Sequence, residues 1–405
     1  MSEVLQGVRV LEVASWTFVP AAGAVLSDWG ADVIKVEHPA TGDPQRGLVT
    51  SGLVPRAAGG ANFMIEQPNR GKRSVGLDIA TEEGRELLYR LAERSDVFLT
   101  NFLPATRRRL QIEAEDIQAR NAGIVYVRGH GQGARGPDAE KGGYDAASFW
   151  ARGGIAAGLT PAGADYPVTQ RPGFGDLAGG MTIAGAISAA LFRRQRDGVG
   201  SVVDISLLGV AMWMLSPDIV ASKLFEGMAT PSFNRASSPN PLVNVYKTAD
   251  DRFLTLIMLE ADKYWPDLCQ HIGRPELIDD PRVADAKTRF ENRAECVRLL
   301  DEAFASRTLD EWRERLATLA GVWAPVQTAR ELHDDPQVTA NGYLPQVDVG
   351  DGHSLDLVAN PVQFDEAPPN LRRAPEHGEH TEEVLLEMGF EWEQITELKI
   401  SGAIT

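Results

Sequence analysis

The sequence contains few of the residues that mark a secreted or metal-stabilised protein. It has only two cysteines, Cys269 and Cys296, and neither lies in a CxxC pair or beside clustered histidines. A disulfide framework or a structural zinc site needs more thiols at closer spacing. The amino terminus also lacks a basic segment followed by a long apolar run and a small-residue cleavage site. These absences favour a cytoplasmic protein.

Excess positive charge is absent as well. The chain carries 57 acidic and 40 basic residues, a formal net charge of −17. Nucleic acids and anionic membranes attract surfaces with an excess of Lys and Arg. The longest run of apolar and small residues, 177–192, contains three glycines and is shorter than the roughly 20 residues that span a bilayer. We therefore expect no nucleic-acid and no membrane partner, and we interpret the run as a buried helix.

The motifs of several large enzyme classes are also missing. The turn after the first predicted strand reads ASWTFVPAAG and contains no GxGxxG, the glycine pattern that binds the pyrophosphate of NAD. No GxSxG nucleophile elbow occurs. The seven histidines are scattered, and the one close pair, His377 and His380, lies in a polar segment. Hydride transfer, serine hydrolysis and a metal centre therefore receive no support.

What the sequence does contain is a regular alternation of short β-branched runs and helical stretches. Strands that are apolar along most of their length are typical of a parallel sheet covered by helices on both faces, with the ligand site at the carboxyl ends of the strands. This pattern predicts an α/β fold. The predicted strands lie at residues 8–14, 31–38, 73–79, 96–102 and 123–129, with a sixth at 201–208.

The remaining chain changes character twice. Residues 223–324 are rich in amphipathic helix and contain a predicted hairpin with its turn at Asp250 and Asp251, which indicates a smaller α+β domain. Residues 325–405 are loop-rich and end in the helical segment HTEEVLLEMGF. We therefore predict a large domain beginning with residues 1–222, a small domain at 223–324 and a C-terminal segment at 325–405.

Asp176 is the residue that best fits a chemical role. It lies in RPGFGDLAGGM, at the predicted start of a long, nearly uncharged helix. The amide groups and the dipole of a helix amino terminus favour an anion, and flanking glycines let a substrate approach the backbone. A nucleophilic carboxylate that attacks a thioester needs both features. The spacing alone favours an ordinary N-cap aspartate, so the role needs further support.

Basic residues are clustered although the chain is acidic overall. Two clusters lie near predicted strand ends, where they could hold the phosphates of an anionic ligand such as CoA or a nucleotide. The alternative is that they are solvated and pair with nearby carboxylates. The clusters are Arg70, Lys72 and Arg73; Arg107 to Arg109; and His38 with Arg46.

Several segments in combination resemble the class III CoA-transferases, the formyl-CoA transferase-like family, along nearly the whole chain. The resemblance implies that Asp176 attacks an acyl-CoA to give a mixed anhydride and then an aspartyl-CoA thioester, with Asp145 orienting it. CoA would be a substrate, and no metal would be needed. The segments are GVRVLEVASWTFVPAAGAVLSDWGADVIKVEHPATGDPQR, NRGKRSVGLDIATEEGRELLYRLAERSDVFLTNF, GHGQGARGPDAEKGGYDAASFWARGG, GDLAGGMTIAGAISAALFRRQRDGVGSVVDISLL and GEHTEEVLLEMGFEWEQITEL.

The resemblance also implies a set of CoA-binding residues, through stacking on adenine and pairing with phosphates. His38 stands where the family usually has Arg, and Lys141 is offset by one position from the family's basic residue. For Trp16 and Phe18 the alternative is ordinary core packing. The implied residues are Trp16, Thr17, Phe18, His38, Lys72, Arg73, Asn101, Phe102, Arg109, Leu110 and Lys141.

The family's architecture gives a further expectation. It implies a large Rossmann-like domain with a parallel sheet built from both chain ends, a smaller α+β domain and an interlocked homodimer. Related α-methylacyl-CoA racemases carry a His-Asp pair where this chain has Tyr144 and Asp145. Because removal of an α-proton needs a base with a pKa near the working pH, the missing histidine disfavours a racemase or isomerase. A non-catalytic CoA-binding relative is the third alternative.

Overall fold

The computed structural model describes residues 4–52, 62–161, 163–224, 234–350 and 352–405. Contacts divide the chain into a large unit, Met1–Thr230 with Pro336–Thr405, and a small unit, Pro231–Asp335. The domain limits expected from the sequence, 222 and 324, lie earlier in the chain than these divisions.

A six-stranded parallel sheet forms the centre of the large unit. Its strand order is β3-β2-β1-β4-β5-β6, so the order reverses between β1 and β4. In open α/β sheets, ligands bind outside the carboxyl ends of the strands at such a reversal. The six predicted strands are all present: β1 is Arg9–Val13, β2 Asp32–Glu37, β3 Arg73–Gly76, β4 Val97–Thr100, β5 Val125–His130 and β6 Ser201–Ser206.

Helices cover both faces of this sheet. On one face, α1 and α8 pack on the side chains of Val10, Val97 and Val125. On the other face, α4 and α6 pack on those of Leu11 and Phe98. The helices in this part of the chain are α1 Phe18–Asp28, α2 Gly47–Thr50, α3 Phe63–Asn69, α4 Glu82–Glu93, α5 Pro104–Leu110, α6 Ala114–Arg120, α7 Ile155–Leu159, α8 Phe174–Asp197, α9 Leu207–Met214 and α10 Ser216–Leu224, with a π-helix at Ala146–Ala151.

Glycines let α8 lie very close to α1. A Cβ atom on Gly179 would be 2.3 Å from the Phe18 ring, and one on Gly180 would be 2.7 Å from the Cβ atom of Ala21. Among the described residues, α8 is long and apolar enough to cross a bilayer, and the bent pair α9 and α10 meets the same criterion together. One face of α8 is nevertheless buried in the core, as the sequence predicted. The close packing fixes the position of the helix that carries Asp176.

The small unit has its own sheet and core. The predicted hairpin is present: β7 and β8 pair antiparallel, and Asp251 in the turn has φ +60°. A third strand, β9, pairs with β8. The elements are β7 Val243–Lys247, β8 Phe253–Ile257, α11 Ala261–His271, α12 Ala286–Glu291, α13 Arg293–Phe304, α14 Leu309–Arg315 and β9 Trp323–Pro325.

The C-terminal segment returns to the large unit, but its described residues add no strand to the parallel sheet. The expectation that both chain ends build this sheet is corrected, because its six strands all lie between Arg9 and Ser206. The segment instead packs two amphipathic helices against one face and adds a single bridge between Leu77 and Ile404. Its elements are α15 Pro336–Ala340, the antiparallel pair β10 Gln346–Gly350 and β11 His353–Asp356, α16 Thr381–Glu387 and α17 Trp392–Ser401.

Candidate active site

A cavity of about 540 Å³ lies at the carboxyl ends of the central strands. We call it the strand-end cavity. Its walls come from the loops that follow β1, β2, β4 and β5 and from the start of α8, and this is where the sequence pattern predicted a ligand site. Among the described residues that line it are Trp16, Phe18, His38, Asn101, Phe102, Gly131, Lys141, Tyr144 and Asp176.

Asp176 lies in the first turn of α8 but does not cap it. The helix begins at Phe174, two residues earlier than predicted, and its N-cap is Gly173 with φ +77°. Asp176 is therefore the third helical residue. No hydrogen bond or ion pair joins its carboxylate to any described residue. The alternative of an ordinary N-cap aspartate does not describe this geometry.

Asp145 accepts the backbone hydrogen bond that a side chain at the N-cap of α8 would accept. The Gly175 N–H donates to both carboxylate oxygens of Asp145, at 3.1 Å each. Gly175 is needed here, because a Cβ atom would lie 2.4 Å from an Asp145 oxygen and 2.3 Å from the Phe149 ring. Asp145 itself is only 6% exposed. A carboxylate from a separate segment thus holds the amino terminus of α8.

The two carboxylates influence each other's protonation. Burial raises the pKa of Asp176, and the nearby charge of Asp145 raises it further, to about 7. Burial also raises the pKa of Asp145, although its hydrogen bond from the Gly175 amide opposes the change. A carboxylate with a pKa near 7 is half ionised at neutral pH, and its ionised form is poorly solvated and therefore reactive.

The loop after β1 forms one wall of the cavity in a restricted conformation. Trp16 has φ +68°, which is unusual for a bulky residue, and its N–H donates to Asp43 Oδ1 at 3.2 Å. The Trp16 ring meets Tyr144 edge to face, with centroids 5.8 Å apart. Thr17 lies outside the described lining, and its hydroxyl donates to Gln45 Oε1 at 3.2 Å. The loop is thus held by contacts within the chain.

Asn101 and Phe102 follow β4 and line the same cavity. The Asn101 side chain accepts from Ser15 N–H at 3.1 Å and donates to the Ser15 carbonyl at 2.7 Å. This amide clamp joins the loops after β1 and β4 at the point where the strand order reverses. Asn101 therefore shapes the wall as well as lining it.

Lys72 lies in a buried ion network rather than in the cavity wall. Its Nζ is 2.8 Å from both oxygens of Glu12, and all these side-chain atoms are inaccessible to solvent. Glu12 also pairs with Lys35, which contacts Asp43 at 2.9 Å. Burial lowers the pKa of Lys72 to about 8, although Glu12 opposes the change. The network ends at Asp43, the acceptor for the Trp16 amide.

Three other implied binding residues also lie outside the lining. Arg73 pairs with Asp32 at 2.7 Å and with Glu387 at 2.7 Å. Asp32 begins β2, so it lies at the amino ends of the strands, whereas the cavity lies at their carboxyl ends. Arg109 is exposed on α5. Leu110 is 7% exposed and packs in the core on the α4 face of the sheet. Their contribution to CoA binding stays a prediction.

His38 and Lys141 are the implied cationic residues that do line the cavity. His38 follows β2 and is exposed, and its Nδ1 accepts from the Ala40 N–H at 3.2 Å. Lys141 is 71% exposed at its side chain and lies 2.7 Å from Asp138. Most other clustered cations are paired with carboxylates: Arg46 with Glu37, Arg70 with Asp28, Arg107 with Glu113 and Arg108 with Glu140.

The sequence reasoning missed Asp43 and the part played by Tyr144. Asp43 lies in the GDPQR segment after β2, where an aspartate is typical of a turn. Its contacts with Trp16 and Lys35 form only in the folded chain. His130 donates its Nε2–H to Asp204 Oδ1 at 2.8 Å and is 8% exposed. Within the parts of the chain that the structure describes, no cluster of three His, Cys, Asp or Glu side chains could hold a metal.

The chain is similar to known proteins along nearly its whole length. The family model described as CoA-transferase family III matches residues 5–381. The chain is 30% identical to (R)-2-hydroxy-4-methylpentanoate CoA-transferase of Clostridioides difficile over 99% of both chains, and 32% identical to cinnamoyl-CoA:phenyllactate CoA-transferase of Clostridium sporogenes over 98% of this chain and 96% of that protein.

Solved structures agree as well. The crystal structure of a CAIB/BAIF family protein from Brucella suis matches with a TM-score of 0.79 and 30% identity, over 95% of this chain and 99% of the other. That of Rv3272 from M. tuberculosis matches with a TM-score of 0.78 and 28% identity, over 93% and 97%. The chain belongs to CoA-transferase family III and is an enzyme of that class.

Proposed function

We propose that this enzyme moves CoA between carboxylic acids with Asp176 as the covalent nucleophile. One observation carries the proposal. Three carboxylates line the strand-end cavity among the described residues, and two are engaged: Glu37 with Arg46 and Asp43 with Lys35. Asp176 has no such partner, and its pKa is raised to about 7 by burial and then by Asp145. An unpaired, poorly solvated carboxylate at a cavity wall fits nucleophilic catalysis.

The first half-reaction loads the enzyme. An oxygen of the Asp176 carboxylate attacks the thioester carbonyl of the donor, the C–S bond breaks, and CoA leaves as the thiolate. The product is a mixed anhydride between the donor acid and Asp176. The thiolate then attacks the Asp176 carbonyl carbon, releases the donor acid as a carboxylate and leaves an aspartyl-CoA thioester.

The second half-reaction repeats these steps in reverse order. The acceptor carboxylate attacks the aspartyl thioester, releasing the thiolate and forming a second mixed anhydride. The thiolate attacks the acceptor's carbonyl carbon, which gives the new acyl-CoA and restores the Asp176 carboxylate. Protons balance without an external acid or base. Each tetrahedral oxyanion needs donors, and the backbone amides of the glycine-rich wall around Gly131 are suitable groups.

In this proposal, Asp145 is a positioning residue. Its bond to the Gly175 amide fixes the first turn of α8, and its charge raises the pKa of the Asp176 carboxyl. Asp176 is thereby left free to form and break covalent bonds.

CoA would enter over the strand ends. His38 and Lys141 supply positive charge for its phosphates, and Phe102 offers an aromatic face for adenine. Arg109 on the neighbouring helix would add a phosphate contact. We expect Arg109→Ala to weaken CoA binding by about tenfold, as for loss of one charged hydrogen bond. Calorimetric titration with CoA measures this, and an unchanged Kd excludes the contact.

The acids exchanged belong to the broad class that the relatives' names suggest, CoA thioesters and free carboxylic acids. A racemase would instead need a base beside the α-carbon, and the position before Asp145 holds Tyr144. Such an enzyme would wash deuterium from solvent into the α-carbon of an acyl-CoA without any acceptor acid. Deuterium uptake in that experiment would favour the alternative.

We further propose a homodimer in the cytoplasm. The pair α9 and α10 exposes large apolar side chains, including Trp213 at 81% and Leu224 at 70% exposure, and such a patch is typical of a surface that a partner covers. Two buried, unpaired thiols, Cys269 and Cys296, suit a reducing compartment. Light scattering after gel filtration measures the mass, and a monomer at micromolar concentration would exclude the dimer.

Replacement of Asp176 tests the proposed chemistry. Asp176→Ala removes the nucleophile, so transfer should fall at least about a thousandfold while CoA still binds. Hydroxylamine added during turnover should convert Asp176 of the wild type into a hydroxamate, which mass spectrometry detects on the α8 peptide. Asp310→Ala, at a side chain that is 86% exposed, is the matched control. Full transfer activity in Asp176→Ala would refute the assignment.

A further inference from the structure

The walls of the strand-end cavity bear on which acids the enzyme exchanges. Tyr144 directly precedes Asp145, whose carboxylate bonds to the Gly175 amide next to Asp176. Tyr144 lines the cavity together with Asp176, and it is 66% exposed rather than packed in the core. Tyr144 and Asp176 therefore line the same cavity, and the chain segment of Tyr144 is attached to the first turn of α8 through Asp145.

Trp16 completes an aromatic wall with Tyr144. The two rings meet edge to face at 87°, with centroids 5.8 Å apart. Trp16 is held at φ +68°, and its amide is tied to Asp43. Backbone strain of this kind persists where the surrounding structure fixes it, and it is common at ligand sites. The wall is rigid on the Trp16 side and accessible on the Tyr144 side.

Positive charge is scarce around this wall. Among the described lining residues, the side chains that can be cationic are His38, His130 and Lys141. His130 is bonded to Asp204 and Lys141 to Asp138. His38 lies after β2, where the proposed phosphate contacts are. No arginine occurs in the described lining.

We propose that the acyl site accepts monocarboxylic acids with an apolar or aromatic side chain, which packs on Trp16 and Tyr144, and discriminates against dicarboxylic acids. The inference rests on the proposed CoA transfer at Asp176. Apolar surface gains about 25 cal/mol for each Å² removed from water, and an aromatic pair adds to this. A second carboxylate in the same place would be desolvated without a partner, which costs free energy.

Identity exchange tests the inference without knowledge of the natural pair of acids. Each acyl-CoA is incubated with its own ¹³C-labelled acid, and mass spectrometry follows label entering the thioester. We expect kcat/KM for the hexanoate and 3-phenylpropanoate pairs to exceed that for the succinate and glutarate pairs by at least about tenfold, the discrimination that one apolar subsite supplies.

Variants of Tyr144 locate the effect. Tyr144→Ala should lower kcat/KM for the 3-phenylpropanoate pair about tenfold, mainly through KM, and change the acetate pair less than about twofold, because acetate has no side chain to pack. Tyr144→Phe keeps the aromatic ring and should keep the preference for the 3-phenylpropanoate pair over the acetate pair. Tyr144→Arg should raise exchange of the succinate pair by supplying a cation. Tyr166→Ala, at a tyrosine that is 83% exposed and outside the described lining, is the control.

The outcomes distinguish failure of the proposed acyl selectivity from failure of the proposed CoA transfer. If the succinate or glutarate pair exchanges as fast as the apolar pairs and still requires Asp176, the acyl selectivity proposed here is wrong and CoA transfer stands. Equal losses for acetate and 3-phenylpropanoate in Tyr144→Ala likewise contradict the aromatic wall. If none of the five acids exchanges, or exchange persists in Asp176→Ala, the proposed function itself fails and the inference fails with it.

Discussion

Asp176→Asn should make the ligand-free protein more stable at pH 8. In the folded chain, the pKa of the Asp176 carboxyl is raised from 3.8 to about 7, first by burial and then by the charge of Asp145. The folded state therefore binds this proton more tightly than the unfolded state. The contribution of Asp176 to stability is most favourable below pH 4 and falls as the pH rises from about 4 to about 7.

The size of the effect follows from the shift. About three pKa units at 1.36 kcal/mol per unit correspond to about 4 kcal/mol of stability lost above pH 7. The asparagine in Asp176→Asn stays neutral, occupies nearly the same volume and does not repel Asp145. The variant should therefore gain up to about 4 kcal/mol relative to wild type at pH 8, and this gain should shrink towards zero near pH 4.

Urea unfolding of both proteins at several pH values between 4 and 8 measures the difference. Subtracting wild type from variant at each pH cancels the titration of all other groups. Asp310→Asn, at an aspartate with an 86% exposed side chain, is the control. A stability difference for Asp176→Asn that is constant with pH, or a loss at pH 8, would show that the Asp176 carboxylate is not disfavoured by its surroundings.

Three more predictions concern the same carboxylates and the buried network. Because the proposed nucleophile, Asp176, would attack only in its ionised form, kcat/KM should rise with pH and level off above a midpoint near 7, as a pH profile measures; a flat profile from pH 5.5 to 8 would contradict this. Asp145→Asn removes the nearby charge and should move that midpoint to lower pH, whereas an unmoved midpoint would exclude the coupling. Glu12→Gln leaves two buried lysines without their shared carboxylate and should cost about 3–5 kcal/mol of unfolding free energy; exposed Glu397→Gln is the control, and equal stability of the two variants would contradict the network.

The sheet was predictable because its signal is local. Each of the six strands is a short β-branched run bounded by polar or glycine-containing turns, so its residues need no knowledge of distant contacts. The position of the C-terminal segment was harder to predict from the sequence. Its two amphipathic helices pack on the same sheet face as α4 and α6, but nothing local in HTEEVLLEMGF distinguishes a helix that covers a sheet from one that precedes a strand.

The sequence predicted the central carboxylate of the candidate site, Asp176, but not the contacts that hold it in place. Asp176 has a local signature in its flanking glycines, whereas the start of α8 at Phe174 depends on Gly173 adopting φ +77° and on Asp145, far away in the chain, binding the Gly175 amide. For Lys72, the local sequence suggests a role that the fold does not support. A lysine in NRGKRS resembles an exposed phosphate contact, and only the folded chain shows it buried against Glu12.

Asp145 and Asp176 have different roles at the start of α8: Asp145 binds the helix amide, and Asp176 stays unbonded within the described part of the chain. A carboxylate that caps its own helix gains amide hydrogen bonds, which lower its pKa and occupy its lone pairs. Such a group would be a poor nucleophile, because attack would first break those bonds. With Asp145 holding the Gly175 amide, Asp176 remains in the first turn without a bonded partner among the described residues, at the cost of repulsion between two charges. This repulsion lowers folding stability. In the proposed mechanism, it leaves a carboxylate that can become an anhydride or a thioester without loss of the hydrogen bond that holds its helix.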